Sequence, residues 1–260
     1  MNPEGLHSLI QKFKSLILEY LFPSGCAVCG SMLLDKEDAW YGLCGDCRRS
    51  FKIEKTERCS LCGRPLISEQ GTCLACRELA AAETLPAYDK LISLYPYSGG
   101  DFAGNSGSYL KLLGSYKFGK RLSLGRFFAD KVYEALAMLS ISESENPELV
   151  PVPPRPGKLR KTGWDQIEYL ARFLKKREGE AGSLKVERCL KRLPSETQKK
   201  LDRETRKSNL KGRIVVKGKV PKTAVLFDDV ITTGSTMDAC AAALKESGTE
   251  KVYGICLFYD

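Results

Sequence analysis

AVLFDDVITTGSTMDACAAALKESG, Ala224 to Gly248, is the stretch that decides the fold. Ala224 to Phe227 is an unbroken apolar run, which suits a strand covered on both faces. Two carboxylates follow at once, Asp228 and Asp229. Then come Ile231 to Thr236, rich in hydroxyl side chains around Gly234, and a periodic helix that stops near Gly248. A loop of this kind between a strand and a helix is a phosphate cradle, because free N–H groups and the helix N-terminus favour an anion. Thr232, Thr233, Ser235 and Thr236 add hydroxyl donors. Two carboxylates beside a phosphate would repel it unless they addressed another part of the ligand. Ionised carboxylates accept strongly from neighbouring hydroxyls, so the expected ligand carries both a phosphate and a vicinal diol. A plain strand turn with Asp as a helix cap accounts for one carboxylate and leaves the other unexplained.

Working outward, apolar and helical patterns alternate. Leu149–Val152 is apolar, Trp164–Arg177 reads as a helix and Leu184–Leu190 as a strand. A basic segment follows, then strands Arg213–Val216 and Thr223–Phe227, helix Thr236–Ser247 and strand Lys251–Phe258. Such alternation predicts an α/β layer with a mainly parallel sheet flanked by helices. Upstream, Asp89–Tyr97 reads as a further strand. Ser98–Ser108 reads as a loop, and Tyr109–Phe118 and Ser123–Leu139 as helices. Gly114 to Lys120 comes close to a nucleotide-binding P-loop. Arg121 stands where Ser or Thr must hold Mg²⁺, however, Tyr116 and Phe118 are too bulky, and a helix-like segment precedes it, so this reading is set aside.

The 260 residues are 28% charged and 43% hydrophobic, ordinary globular usage that excludes wholesale disorder. Leu6–Phe22 carries Lys12, Lys14 and Glu19 and lacks a small-residue cleavage site, so neither a signal peptide nor a membrane span is expected there. A cytoplasmic protein is the expectation. The net charge of +9 is uneven: Pro151–Lys222 holds 22 Lys/Arg against eight Asp/Glu, or +14, which leaves −5 elsewhere. A basic block beside an acidic remainder points to a phosphate-rich ligand or nucleic acid; a solvated surface is the plainer alternative.

Eight of the 11 cysteines form four Cys-x-x-Cys pairs: Cys26/Cys29, Cys44/Cys47, Cys59/Cys62 and Cys73/Cys76. Without an exporting signal a disulfide framework is not expected. Two-residue spacing turns both thiolates of a pair toward one metal, and four soft sulfur ligands suit a tetrahedral Zn²⁺. About fifty residues with few large apolar side chains need such a staple. His7 is the only histidine and lies outside the cluster, and a closed four-sulfur set is structural in character. Sequential pairing is simplest; crossed pairing and a single occupied site remain alternatives. Cys189, Cys240 and Cys256 are isolated and read as small core residues. The domain reading is an N-terminal helix over 1–22, a double zinc ribbon over 23–80 and an α/β domain over 86–260.

The acidic pair with its Thr/Gly loop resembles the signature of the type I phosphoribosyltransferases. More narrowly, the chain resembles the ComF family of ComFC/GntX-like competence proteins, over nearly its whole length. The carrying blocks, in order, are LFPSGCAVCG, YKFGKR at 116–121, PVPPRPGKLRKTGWDQIEYLAR at 151–172, TQKKLDRETRKSNLKG at 197–212 and the signature at 224–236. In the third block the family usually reads Arg-Gly-Phe-Asn-Gln where this chain has Thr162-Gly163-Trp164-Asp165-Gln166, which removes one phosphate contact. The resemblance implies a type I phosphoribosyltransferase-like domain that binds 5-phosphoribosyl 1-diphosphate, with Mg²⁺ on the diphosphate. It implies a pyrophosphate loop over Val152–Lys161, where Arg155, Lys158, Arg160 and Lys161 suit the charge. It also implies a covering loop from Gln198 to Asn209, with Lys199, Lys200, Arg203, Arg206 and Lys207. Asp228 and Asp229 would serve the diol side in catalysis, and Thr232, Thr233, Gly234, Ser235 and Thr236 the 5′-phosphate. Implied roles are phosphoribosyl transfer to an unidentified acceptor and DNA uptake in natural competence, with single-stranded DNA and the uptake machinery as partners. A regulator or DNA-binding protein that keeps only ligand binding is the alternative.

Overall fold

The computed structural model describes residues 25–66, 68–82, 85–96, 106–142, 146–176, 185–194 and 212–260. The helix expected over 1–22 lies outside the described residues, as do Gln198, Lys199, Lys200, Arg203, Arg206 and Lys207 of the expected covering loop. The cysteine region carries three short helices, α1 (Lys36–Tyr41), α2 (Gly45–Ser50) and α3 (Leu74–Ala81). Strand β1 (Lys90–Pro96) and helices α4 (Ser106–Lys117) and α5 (Leu124–Leu139) follow. Next come β2 (Glu148–Pro151), α6 (Lys158–Thr162), α7 (Gln166–Lys176), β3 (Leu190–Arg192) and β4 (Ile214–Val216). The chain closes with β5 (Thr223–Ile231), α8 (Ser235–Glu246) and β6 (Lys251–Tyr259). Among the described residues no helix is long and apolar enough to cross a membrane.

Four strands form one sheet in the order β1-β6-β5-β2, every neighbouring pair parallel, while β3 and β4 form a separate antiparallel pair. A parallel sheet must be covered on both faces, and side chains alternate between them. Val225, Phe227, Ile255 and Leu257 pack with Phe127, Val132 and Leu170 from α5 and α7. Ala224, Leu226, Val252 and Cys256 pack with Met237, Cys240 and Leu244 of α8. The result is the mainly parallel α/β sheet flanked by helices that the alternation predicts.

Two strands differ from expectation by more than one residue at a boundary. β5 does not stop at Phe227 but continues through both aspartates to Ile231, because β6 pairs with it along its whole length: Asp228 stands opposite Cys256 and Ile231 opposite Tyr259. β3 covers Leu190–Arg192 and not Leu184–Leu190; Val186 makes only an isolated bridge to Leu149.

The cysteine region is built into this domain as a wall. Cys26, Leu33, Leu43, Phe51 and Ile53 are buried in the same cluster as Ile92, Tyr95, Leu112 and Phe127. Tyr95 donates its hydroxyl to Phe51 O at 2.9 Å, Ser115 to Ala27 O at 2.8 Å and Tyr41 to Asp130 Oδ2 at 2.7 Å. The second knuckle closes on β1, the edge strand. Arg58 donates to Gly63 O and Ser93 O, both at 2.8 Å, and Ser93 Oγ donates to Cys62 O at 3.0 Å. An edge that would otherwise offer unpaired backbone groups is thereby covered.

Candidate functional site

At the carboxyl end of β5 a shallow pocket is lined by Asp228, Val230, the whole loop Ile231–Thr236, Met237 and Cys256. Ligands of open α/β sheets bind at this end of the strands. Gly234 sits at φ 74°, ψ −7°, a left-handed conformation that a residue with a Cβ adopts only at a cost, and it opens α8 as a cap with no side chain to bond the first turn. The Gly234 cap itself offers the first turn no acceptor, and Ser235 N, the first N–H of α8, makes one long bond, to Thr233 Oγ1 at 3.4 Å. Thr233 Oγ1 and Ser235 Oγ lie 2.9 Å apart, so two hydroxyls are held together at the helix start. Thr232, Thr233, Gly234, Ser235 and Thr236 are therefore brought together in one lining, with Asp228 beside them.

The two aspartates part company. Consecutive in β5, their side chains lie within hydrogen-bond reach of one another but have otherwise different partners. Asp228 lines the pocket, half-buried. Burial and the neighbouring Asp229 carboxylate push its pKa well above the usual carboxylate range. Asp229 is 7% exposed and points toward α4 and α7. Its Oδ2 takes the Lys117 ammonium at 2.7 Å and Gln166 Nε2 at 2.5 Å, and its Oδ1 accepts from Val230 N at 2.9 Å. Burial pulls this carboxyl upward, but the Lys117 ammonium, with bonds from Asp228 and Gln166, holds it below the usual range.

The contacts of Asp229 continue into the basic loop. Lys158 Nζ lies 2.5 Å from Asp165 Oδ2 and 2.7 Å from Gln166 Oε1. Asp165, almost fully buried, also caps α7 by accepting from Ile167 N and Glu168 N at 3.0 Å each. Lys158 is thus turned inward, while Arg155, Arg160 and Lys161 stay exposed on the loop and on α6. Thr162 donates to Trp164 O at 2.7 Å and serves the turn.

Three site residues escaped the sequence reading. Lys117 belongs to the segment set aside as a false P-loop; Gly114 lies inside α4, and the end of that helix is tied to α7 by Tyr116 Oη to Gln166 O at 2.7 Å and Trp164 Nε1 to Lys117 O at 3.4 Å. Gln166 has no charge to flag it. Arg192 closes β3, half-buried. Burial and the positive field of Arg155 lower its pKa, and the fields of Cys240 and Asp228 oppose them, so it lies within electrostatic reach of Asp228. Nothing local marks that arginine among the neighbouring cations.

The cysteines gather into two clusters, Cys26, Cys29, Cys44 and Cys47, and Cys59, Cys62, Cys73 and Cys76, the sulfurs of each within 4.8 Å of one another. Cys29 Sγ stands 3.6 Å from Cys44 Sγ, and Cys62 Sγ 3.7 Å from Cys73 Sγ. A tetrahedron with Zn–S bonds of about 2.3 Å places its sulfurs about 3.8 Å apart, so both sets fit zinc. Burial pushes the Cys47 and Cys62 thiols up, and neighbouring sulfurs add to the effect. A dication removes that repulsion. Cys189, Cys240 and Cys256 are fully buried in the α/β core.

Residues 17–77 match the family model described as the double zinc ribbon domain, which together with the two clusters supports structural Zn²⁺. The chain is 25% identical over 248 residues to competence protein ComFC of Streptococcus pneumoniae, covering 87% of this chain and 96% of that protein. It is also 25% identical over 226 residues to competence protein F of Haemophilus influenzae, covering 81% and 87% respectively. The similarity therefore runs through both the cysteine region and the α/β domain.

Proposed function

We propose that the pocket at the end of β5 binds 5-phosphoribosyl 1-diphosphate, as in a type I phosphoribosyltransferase, and that the protein acts in competence, the word its relatives' names carry, by serving DNA uptake. The observation that carries the reading is the meeting of Asp228 with the glycine-capped start of α8 and the Thr232–Thr236 hydroxyls in one pocket. The helix start and hydroxyls take the 5′-phosphate. Asp228 accepts from the ribose hydroxyls. Arg155, Arg160, Lys161 and Arg192 surround the diphosphate, joined by Gln198, Arg203 and Arg206 of the covering loop, and Mg²⁺ accompanies the diphosphate. In transfer, the bond between C1 and the diphosphate oxygen breaks while an acceptor attacks C1, and the electron pair leaves on the diphosphate. Fixed cations around that leaving group lower the barrier.

The test is calorimetric binding of 5-phosphoribosyl 1-diphosphate with Mg²⁺. Micromolar or tighter binding that falls at least about tenfold in Asp228→Asn supports the assignment; binding unchanged by that substitution overturns it.

A second reading, contact with single-stranded DNA, is favoured by one surface. Phe118 is 78% exposed at the end of α4, and Lys120 Nζ reaches Thr162 O at 2.9 Å, which joins the Phe118–Arg121 turn to the end of α6. Lys120, Arg121, Arg160 and Lys161 thus lie on the two segments that this bond joins, with Phe118 exposed on one of them, and neither 114–126 nor 152–164 contains an acidic residue. Aromatic faces among cations are the stacking platforms of single-strand binders. The two readings are compatible.

A further inference from the structure

We infer that the two aspartates do different work, and that Lys117 is a diphosphate-contacting residue held in place by Asp229. The inference rests on the phosphoribosyl diphosphate reading above and divides its site. Asp229 has little capacity left for a sugar. Both its oxygens accept from the protein, from Lys117 and Gln166 on one and Val230 N on the other, and it is 7% exposed. A carboxylate used this way cannot also take two ribose hydroxyls without giving up a buried ion pair. Asp228 lines the pocket, which Asp229 does not, and takes the diol alone.

Lys117 is placed to do more than neutralise Asp229. Its side chain is 30% exposed, and an ammonium has three donors, of which Asp229 uses one. Its backbone is tied down by the Trp164 indole on Lys117 O and by the neighbouring Tyr116 hydroxyl on Gln166 O. The chain Lys117–Asp229–Gln166–Lys158–Asp165 then runs without a break from the strand end to the start of α6 in the basic loop. Lys117 therefore presents a fixed positive charge at the end of a network that begins in the basic loop, the segment read as the diphosphate side of the site. Asp229 and Gln166 are positioning residues that act through it.

Two probes separate these roles: 5-phosphoribosyl 1-diphosphate, which carries the diol, and inorganic pyrophosphate, which does not. Both are titrated with Mg²⁺ into the zinc-loaded full chain, with zinc content and melting temperature as controls of the fold. Asp228→Asn is expected to weaken the sugar-bearing probe by about tenfold more than pyrophosphate. Asp229→Asn and Lys117→Met are each expected to weaken both probes alike, by about tenfold. The double variant should be no weaker than Lys117→Met alone, since both changes remove one unit, and Lys117→Arg should restore most of the affinity. Should Asp229→Asn fail to fold, Lys117→Met against Lys117→Arg on pyrophosphate decides alone. Loss of the sugar-bearing probe with pyrophosphate intact in Asp229→Asn would show that Asp229 holds the diol and overturn the division. So would additive losses, or a Lys117→Met variant that binds pyrophosphate like the parent. A parent chain that binds neither probe removes the underlying reading itself, a result distinct from those three.

Discussion

Gly63 lies so close to strand β1 that a Cβ on it would stand 1.9 Å from the Leu91 carbonyl oxygen. Its φ of 67° adds a conformation that side chains with a Cβ rarely adopt. The glycine that ends the third Cys-x-x-Cys pair is thus also the point where the second knuckle seats on the sheet edge. Gly63→Ala cannot be absorbed by a flexible side chain, because the clash is with backbone. It is expected to destabilise the chain by about 3 kcal/mol or more, read as a lowered urea midpoint. A midpoint equal to the parent's would mean that the knuckle does not sit on β1.

Metal removal should reach well beyond the cysteine region. Phe51 and Ile53 share a core with Tyr95 and Phe127, so a collapsed knuckle opens the α/β domain's own interior. The protein is expected to hold two zinc ions and to melt in one transition. A strong chelator should shift that transition down as a whole; losing even about 5 kcal/mol corresponds to roughly 10 °C or more at this size. An unchanged melt of the α/β domain after zinc loss would contradict the shared core.

The two aspartates should give opposite pH signatures in the free protein. Asp228 titrates above its unfolded value, so the stability it contributes is present at low pH and lost as pH rises through the folded value. At neutral pH its charge is a cost, and Asp228→Asn should raise the melting temperature there, the gain shrinking in acid. Asp229 is held below its unfolded value, so its contribution is present above the ordinary carboxylate range and lost as pH falls through the folded value. Asp229→Asn should lower the melt at neutral pH and converge on the parent in acid. Thermal melts across the acid-to-neutral range check both signs.

On single-stranded DNA, Phe118 and the cations should separate by salt. Phe118→Ala is expected to lose about 1–3 kcal/mol, the worth of one stacked base, without changing the dependence on salt. Arg160→Gln with Lys161→Gln should instead flatten the plot of log affinity against log salt by about 1.4 units, one contact of about 0.7 per phosphate on single strands. Binding indifferent to Phe118 would make the surface only a solvated basic face.

The four Cys-x-x-Cys pairs and the strand–loop–helix over 224–248 were legible because their chemistry is local. Two-residue spacing is enough to aim two sulfurs at one centre, and a Gly among hydroxyls between a strand and a helix is enough to leave N–H groups free for an anion. The alternation of apolar runs and helical periods likewise carried the parallel sheet, since burial on both faces leaves its mark residue by residue. What the linear order could not carry was where β5 ends. Its continuation to Ile231 depends on pairing with β6, residues 251–259, and that pairing alone sends Asp228 to the loop and Asp229 to Lys117. Lys117 and Gln166 are 49 residues apart in sequence and meet on one carboxylate oxygen only because α4 and α7 pack on the same face of the sheet. The docking of the cysteine knuckles on β1 is of the same kind. Local spacing determined which chemical groups this protein has. Long-range packing decided which of them share a site, because hydrogen bonds and ion pairs act over a few ångströms of space whatever the distance along the chain.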